Sequence, residues 1–242
     1  MRYGIFADIH SNLEAFEAVA EAYEKESIDA YFCCGDVVGY GADPHACIKI
    51  MTELRVVCVA GNHDWASADM FGAEHFNEHA KTAIQWTSIQ LTDAERTFLK
   101  NLKFVERHHD LMVVHGSLKE PQAFHYLMDF SQMAPHFLLM DRAVSFVGHT
   151  HVPGIFVEDD RGEIKAHRDP RVDLHPKKRY LVNVGSVGQP RDGDPQAAYC
   201  IFDSKKNTIE IKRVAYDIKT AQDKILNAGL PARLAVRLGL GQ

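Results

Sequence analysis

Five short segments of this 242-residue chain concentrate side chains that bind hard and borderline metal ions: Asp8-Ile9-His10, Gly35-Asp36, Gly61-Asn62-His63-Asp64, His115-Gly116 and Gly148-His149-Thr150-His151. Each follows a stretch that reads as a buried strand. In an α/β sheet the residues just past the carboxyl ends of the strands converge on one crevice, so segments far apart in sequence can line one site. Residues two apart on extended backbone face the same side, which lets Asp8 with His10, and His149 with His151, each offer two ligands to that crevice. Asp36, in a glycine-bearing turn, has two carboxylate oxygens and room to bridge two cations. Carboxylate, imidazole and amide donors together suit manganese, iron, zinc or a similar divalent ion and not a thiolate site. A single histidine at a strand end is usually held by backbone hydrogen bonds. Recurrence across five segments is what points to a metal centre. The other nine of the 14 histidines (His45, His75, His79, His108, His109, His125, His136, His167 and His175) have no such context.

Those segments need a sheet to hold them. Residues 2–7, 30–34 and 56–59 are continuous apolar runs that read as buried strands, and helices follow the first two. Ser11 and Glu14 have the spacing of a capping box ahead of a helix whose inner stripe is Leu13, Phe16, Ala20 and Tyr23. Asp43 and Pro44 start a second helix, with Cys47, Ile50, Met51 and Leu54 inward. Strand-helix alternation of this kind builds parallel βαβ units. Residues 78–90 and 92–102, the latter opening on a Thr92/Glu95 capping box, read as helices packed through Ile84, Phe98 and Leu99. The apolar stretch 124–140 reads as a helix on the core that could also line a pocket. Short β-rich runs at 104–106, 111–114, 143–147, 155–158, 163–166, 179–182, 198–202 and 208–212 make the second half mostly antiparallel. A last helix from Ile218 is closed by Gly229 and Pro231. With no repeat or linker, one domain over 1–242 is expected, built on two sheets flanked by helices.

Composition narrows the function. Twenty-seven basic against 33 acidic residues leave a net charge of −6, which argues against broad adhesion to nucleic acid or to an anionic membrane. A phosphate-bearing substrate would need local positive charge. No apolar run approaches the roughly 18 residues of a spanning helix, and the start reaches Asp8 too soon for a secretory signal, so a cytoplasmic protein is expected. An apolar share of 46% and a charged share of 25% exclude disorder and a disulfide scaffold. Cys33, Cys34, Cys47, Cys58 and Cys200 are odd in number and lack CxxC spacing, so they read as reduced packing residues.

In this order and at these intervals, D-x-H, G-D, G-N-H-D, H and G-H-x-H resemble the calcineurin-like metallophosphoesterase superfamily across residues 8–151. The segment Asn183-Val184-Gly185-Ser186-Val187-Gly188-Gln189-Pro190-Arg191 resembles its small bacterial and archaeal phosphodiesterase branch. The resemblance implies a four-layer α/β/β/α sandwich of two mixed sheets flanked by helices, with a dinuclear site at the strand ends. Carried over residue by residue, Asp8, His10, Asp36 and His151 hold the first metal, and Asp36, Asn62, His115 and His149 the second, with Asp36 bridging. His63 matches the catalytic histidine that acts on the substrate. Two cations about 3.5–4 Å apart lower the pKa of a shared water and stabilise attacking and leaving oxygens alike. The implied reaction is hydrolysis of a phosphodiester or phosphoanhydride of a small molecule or nucleotide. The implied step is in-line attack of a metal-bridging hydroxide.

The chain departs from one branch. Protein phosphatases of the superfamily carry G-D-x-x-D-R-G, whose Asp orients the catalytic histidine and whose Arg clamps phosphate. Here the stretch is Gly35-Asp36-Val37-Val38-Gly39-Tyr40-Gly41. A phosphomonoesterase, phosphoprotein phosphatases included, is therefore the runner-up. Arg191 is the candidate for the missing phosphate contact, because a guanidinium fork matches phosphate oxygens. A non-catalytic scaffold, as in the retromer subunit that keeps this fold, is the alternative of another class, and the full set of ligands with His63 favours an enzyme. Two rival motifs carry less. His75-Phe76-Asn77-Glu78-His79 spells the inverted zinc-peptidase motif but has no third ligand and leaves five segments unexplained. Gly39-Tyr40-Gly41 is not followed by the Gly-Lys-Ser/Thr of a P-loop. The basic residues between Arg161 and Arg179 read as a solvated hairpin, with a rim for a polyanion as the minority reading.

Overall fold

A computed structural model describes residues 1–70, 72 and 76–242. The apolar runs become strands whose alternate side chains serve two cores, as the two-residue period of a strand requires. In β1 (Arg2–Phe6), Tyr3 and Ile5 face one cluster and Phe6 the other. The same parity divides β5 (Leu111–Val114) and β10 (Arg179–Asn183): Leu111, Val113, Tyr180 and Val182 point to the common core, while Met112, Val114 and Leu181 point away.

Two six-stranded mixed sheets result. The first contains β1, β2 (Ala30–Cys33), β3 (Val57–Cys58), β9 (Arg171–Asp173), β11 (Ala197–Asp203) and β12 (Thr208–Val214), in the order β3-β2-β1-β11-β12-β9. The second contains β4 (Val105–Arg107), β5, β6 (Val144–Val147), β7 (Gly154–Glu158), β8 (Ile164–His167) and β10, in the order β4-β5-β6-β10-β7-β8. β1, β2 and β3 run parallel, as do β5, β6 and β10. Helices α1 (Leu13–Glu24), α2 (Pro44–Glu53) and α5 (Asp93–Lys100) cover the outer face of the first sheet through Phe16, Met51 and Leu99. Helix α6 (Phe130–Leu139) covers the second through Met133 and Phe137. The layers are thus α/β/β/α, the expected fold. Among the described residues no helix is long and apolar enough to cross a membrane.

Local details correct the sequence reading. The cap of α1 is Asn12, whose side chain accepts from the Ala15 amide at 3.2 Å, while Ser11 sits at φ 53° with its hydroxyl unpartnered. Left-handed backbone turns Ser11 away, so the capping box is not formed. The stretch 124–140 is helical only from Phe130, because Asp129 accepts from the Gln132 amide and caps the helix there. The Gly61-Asn62-His63-Asp64 segment is not a loop: Asn62 begins the short helix α3 (Asn62–Ser67). Helix α4 (Glu78–Gln90) and the Thr92/Glu95 box are as expected, and Phe98 and Leu99 pack under the first sheet. Gly229 ends α7 (Ile218–Asn227), yet Pro231 then opens a further helix, α8 (Ala232–Leu238), since proline tolerates a helix start. The basic stretch 161–179 joins β8, on the edge of one sheet, to β9, on the edge of the other. Arg179, Lys165 and Arg171 pair there with Glu158, Glu163 and Asp173. Of the inverted zinc-peptidase motif, His75 lies outside the described residues.

His136 is buried where α6 meets the second sheet. Its Nδ1 accepts from the Leu118 amide at 3.2 Å, and its Nε2 lies 2.9 Å from the Ser145 hydroxyl. Burial pushes the imidazole down to about 3. The unfolded chain binds a proton near its ordinary pKa of about 6.5 that the folded chain refuses, so stability is full above that pH and falls as pH drops towards 3. This one group contributes a slope of up to about 1.4 kcal/mol per pH unit. Urea denaturation of His136→Gln should show a shallower loss of stability between pH 6.5 and 4 than the parent chain. Equal slopes would assign the acid sensitivity elsewhere.

Candidate metal centre

The five segments meet where the parallel strands end. Asp8 and His10 follow β1, Asp36 follows β2, Asn62 and His63 occupy the first turn of α3 beyond β3, His115 follows β5, and His149 and His151 follow β6. Backbone hydrogen bonds tie the ends together: the Asp8 amide donates to Gly35 O, the His10 amide to Asp36 O and the Gly148 amide to His115 O. The two-apart pairs do reach one crevice, but not on extended backbone. Asp8, His10, Asp36, His149 and His151 all have φ between 50° and 68°. Such left-handed residues cost about 1–3 kcal/mol each and persist only where the surroundings impose them. Asp64 supplies part of that imposition. Its buried carboxylate accepts from the amides of Asp36 (2.8 Å), Val37 (2.8 Å), Val38 (3.1 Å) and Gly61 (3.1 Å), clamping the turn that carries Asp36 to the start of α3.

The ligand atoms fall into two groups that meet at Asp36. Asp8, His10 and His151 form one and Asp36, His115 and His149 the other, with His10, Asp36 and His63 between them; within each group the atoms lie within 4.8 Å of one another. Asp8 Oδ1 is 3.4 Å from His151 Nε2, and Asp36 Oδ2 is 3.6 Å from His10 Nε2 and 3.4 Å from His115 Nε2. The Asn62 amide oxygen is 3.0 Å from His115 Nε2. All seven sequence candidates are therefore in one cluster. The imidazoles are oriented by carbonyls: Nδ1 of His10, His115 and His151 faces the oxygens of Val38 (3.1 Å), Cys34 (2.8 Å) and Gln189 (2.6 Å). A carbonyl can only accept, so each Nδ1 carries a proton, which leaves Nε2 of His10 and His151 with a lone pair directed inward. His10 Nε2 and His151 Nε2 face each other at 3.1 Å, and Asp8 Oδ1 and His149 Nε2 are buried with no hydrogen-bond partner. Acceptors gathered without donors are what a divalent cation requires, and the donor set fits such an ion.

Electrostatics point the same way. Burial raises the Asp8 carboxyl to about 8, although His115 pulls against it. Burial would also raise Asp36, but the imidazoles of His115 and His63 outweigh it and hold the carboxyl well below the usual range. His115 would be lowered by burial, and Asp36 beside it raises it to about 9 instead. Positive charge is drawn to Asp36. His10, His149 and His151 are pushed well down by burial and stay neutral, the form that binds metal.

His63 and Arg191 sit above the cluster, on the wall of a cavity of about 270 Å³. The His63 ring is wedged between those of Tyr40 (4.3 Å), His10 (4.8 Å) and Phe76 (4.9 Å), and burial lowers its pKa to about 4. Gly39 and Tyr40 occupy the places of the orienting Asp and clamping Arg of the protein phosphatases. A Cβ on Gly39, at φ 94°, would lie 2.6 Å from His63 Nδ1. Aromatic packing holds the ring, while its Nδ1 is buried with no hydrogen-bond partner. Arg191 donates to the Gln189 side chain at 2.8 Å and lies over the Tyr40 ring. Sequence reasoning missed Asp64, although an acid three residues into a helix is a capping signal. It also missed Arg237 of α8, which reaches the same cavity, whereas Tyr126, in the 124–140 stretch expected as a pocket lining, does line it and stacks on His149 at 3.8 Å.

Known proteins share this arrangement of the chain. Residues 1–207 match the profile of the calcineurin-like phosphoesterase superfamily domain. An uncharacterised protein of Methanocaldococcus jannaschii is 39% identical over 242 residues, covering 98% of this chain and 97% of that one. The phosphodiesterase YfcE of Escherichia coli K12 is 25% identical over 214 residues, 84% of this chain and 88% of its own. The crystal structure of a metallophosphoesterase from Sphaerobacter thermophilus superposes with a TM-score of 0.88 at 36% identity, with 100% of both chains covered.

The clamp at Asp64 is open to test. In Asp64→Asn, either orientation of the amide turns its NH₂ against two backbone N–H groups. Leaving buried donors unsatisfied costs about 1–3 kcal/mol each, so a loss of at least about 3 kcal/mol in unfolding free energy is expected. A change under about 1 kcal/mol would show that the turn holds without it.

Proposed function

The chain belongs to the calcineurin-like phosphoesterase superfamily, and we propose that it is a metal-dependent hydrolase that cleaves a phosphodiester or phosphoanhydride of a small molecule or nucleotide. One observation carries this: buried carboxylates and imidazoles converge on Asp36 from two sides, and Asp8 Oδ1 and His149 Nε2 among them have no hydrogen-bond partner. We assign Asp8, His10, Asp36 and His151 to one divalent ion and Asp36, Asn62, His115 and His149 to a second, with Asp36 shared. Bound there, the ions would supply Lewis acidity to the phosphoryl oxygens and a water of lowered pKa.

The protein's own groups do the rest. The carbonyls of Val38, Cys34 and Gln189 fix ring orientation, so the ligand geometry is set before substrate arrives. His63 is the catalytic side chain that meets the leaving oxygen. Its low pKa keeps the ring neutral at pH 7, so its single N–H is what it offers to the developing charge. Arg191 binds phosphate. The absence of the Asp and Arg of the protein phosphatases at Gly39 and Tyr40 favours a diester or anhydride over a phosphoprotein. The Escherichia coli relative is a phosphodiesterase, which agrees with that preference. A scaffold role is disfavoured by the completeness of the ligand set. Residues 1–242 are taken as one catalytic domain, because α8 closes the same cavity.

The test is hydrolysis of a panel (phosphomonoester, phosphodiester, dinucleoside polyphosphate, phosphopeptide) by protein stripped with chelator and reloaded with manganese, iron, zinc or magnesium. Activity should vanish with the chelator and return with metal, and no activity with any metal would refute the reading. His63→Ala should fold, keep its metal content and lose about 10²–10⁴ in kcat, as loss of a positioned donor to the leaving oxygen does. The loss should shrink for a nitrophenolate leaving group, which departs without a proton. Loss of a metal would make His63 a ligand.

A further inference from the structure

Arg237 has no part in the reaction as described so far, yet α8 delivers its side chain to the cavity that Asn62, His63 and Arg191 line. Among the described residues neither Arg191 nor Arg237 has an Asp or Glu side chain within ion-pair distance, whereas Lys212, Arg213 and Lys224 are all paired with one. Arg191 uses one nitrogen on Gln189, and Arg237 donates through Nε to the main-chain oxygen of Gln242, leaving the two terminal nitrogens of its fork. Arg191 Nε is buried without any partner. Burial and then Arg191 itself push the Arg237 guanidinium down to about 10, so the two cations repel across the cavity. Holding like charges together in a half-buried place is unfavourable unless an anion joins them.

We infer that Arg191 and Arg237 form a subsite for a second phosphoryl group, so that the substrate is a phosphoanhydride and not a simple diester. The inference rests on the proposed hydrolase reading and deepens it. A diester places one negative charge at the metal centre and offers nothing to a second guanidinium. A P–O–P compound carries further oxygens next to the attacked phosphorus, within reach of planar forks that match phosphate. In its hydrolysis a water oxygen bonds to the attacked phosphorus and the bond from that phosphorus to the bridging oxygen breaks. The electron pair stays on the bridging oxygen of the departing phosphoryl group, and the water proton goes to solvent. The charge so released appears on the group that the arginines hold.

Two arms separate this inference from the reading beneath it. In the first, kcat/KM is measured for a dinucleoside tetraphosphate and for bis(4-nitrophenyl) phosphate with the parent protein, Arg237→Gln and Arg237→Lys. Arg237→Gln should depress the anhydride reaction about 10- to 100-fold more than the diester reaction, the size of a lost charge-assisted contact, with Lys recovering part. Equal losses on both substrates would overturn the subsite while leaving the hydrolase reading intact. In the second arm, binding of a fluorescent nucleoside diphosphate and its monophosphate is followed by anisotropy in chelator, where no turnover occurs. The parent chain should prefer the diphosphate and Arg237→Gln should lose that preference. If neither compound is hydrolysed with any metal but the preference is present, the subsite stands and the hydrolase reading falls. No preference in the parent chain refutes the subsite. Thermal unfolding of both variants confirms that they fold.

Discussion

Everything at the strand ends is arranged around one carboxylate. Asp36 lies between two sets of imidazoles, its amide is held by Asp64, and its Oδ1 accepts from the His63 amide at 2.9 Å. Gly61 has to be glycine for this, since a Cβ there would lie 2.0 Å from Asp36 Oδ1. The sheets serve this constraint: parallel β1, β2 and β3 bring Asp8, Asp36 and Asn62 side by side, and parallel β5 and β6 bring His115 and His149 against them. Electrostatic cost concentrates at the same place. Buried carboxylates, neutral imidazoles and left-handed backbone are each unfavourable alone, and the ion proposed to be shared through Asp36 would offset them together.

Packing holds that centre still. The inter-sheet core around Phe146, Phe202 and Ile5 fixes one sheet on the other, and the helix layers fix each sheet from outside. The Asn183–Arg191 stretch links the two halves of the site. Ser186 donates to the Asp8 carbonyl at 2.8 Å, the Gln189 carbonyl orients His151, and Arg191 enters the cavity from the same loop. A motif that reads in sequence as a branch marker is thus, in the structure, a brace behind Asp8 and His151.

Much of this was legible in the sequence, for identifiable reasons. Buried strands announce themselves as continuous apolar runs, so β1, β2, β5 and β6 could be read directly, and with them the Asp and His side chains that the structure gathers at their ends. The ligand rotation could not. Asp8 and His10 share a face through positive φ, which no pattern of side chains encodes, and the same left-handed turn moved the cap of α1 from Ser11 to Asn12. Helix α8 was hidden because Gly229 and Pro231 are stop signals for one helix and a start for the next. Arg237 was lost with it, since its place over the site depends on packing of α4, α7 and α8 through Ala80, Ile225 and Leu234. The orientation of His63 is legible in part: Gly39 and Tyr40 mark what is missing, and only three dimensions show which rings pack around it.

The central claim is that one carboxylate is shared by two ions, and metal stoichiometry tests it most directly. Elemental analysis of the purified parent chain after loading and desalting should find two divalent ions per chain. Asp36→Asn should bind less than one, because an amide keeps the shape but removes the charge both sites use. Two tightly held ions in Asp36→Asn, or a parent chain that holds at most one, would contradict the account.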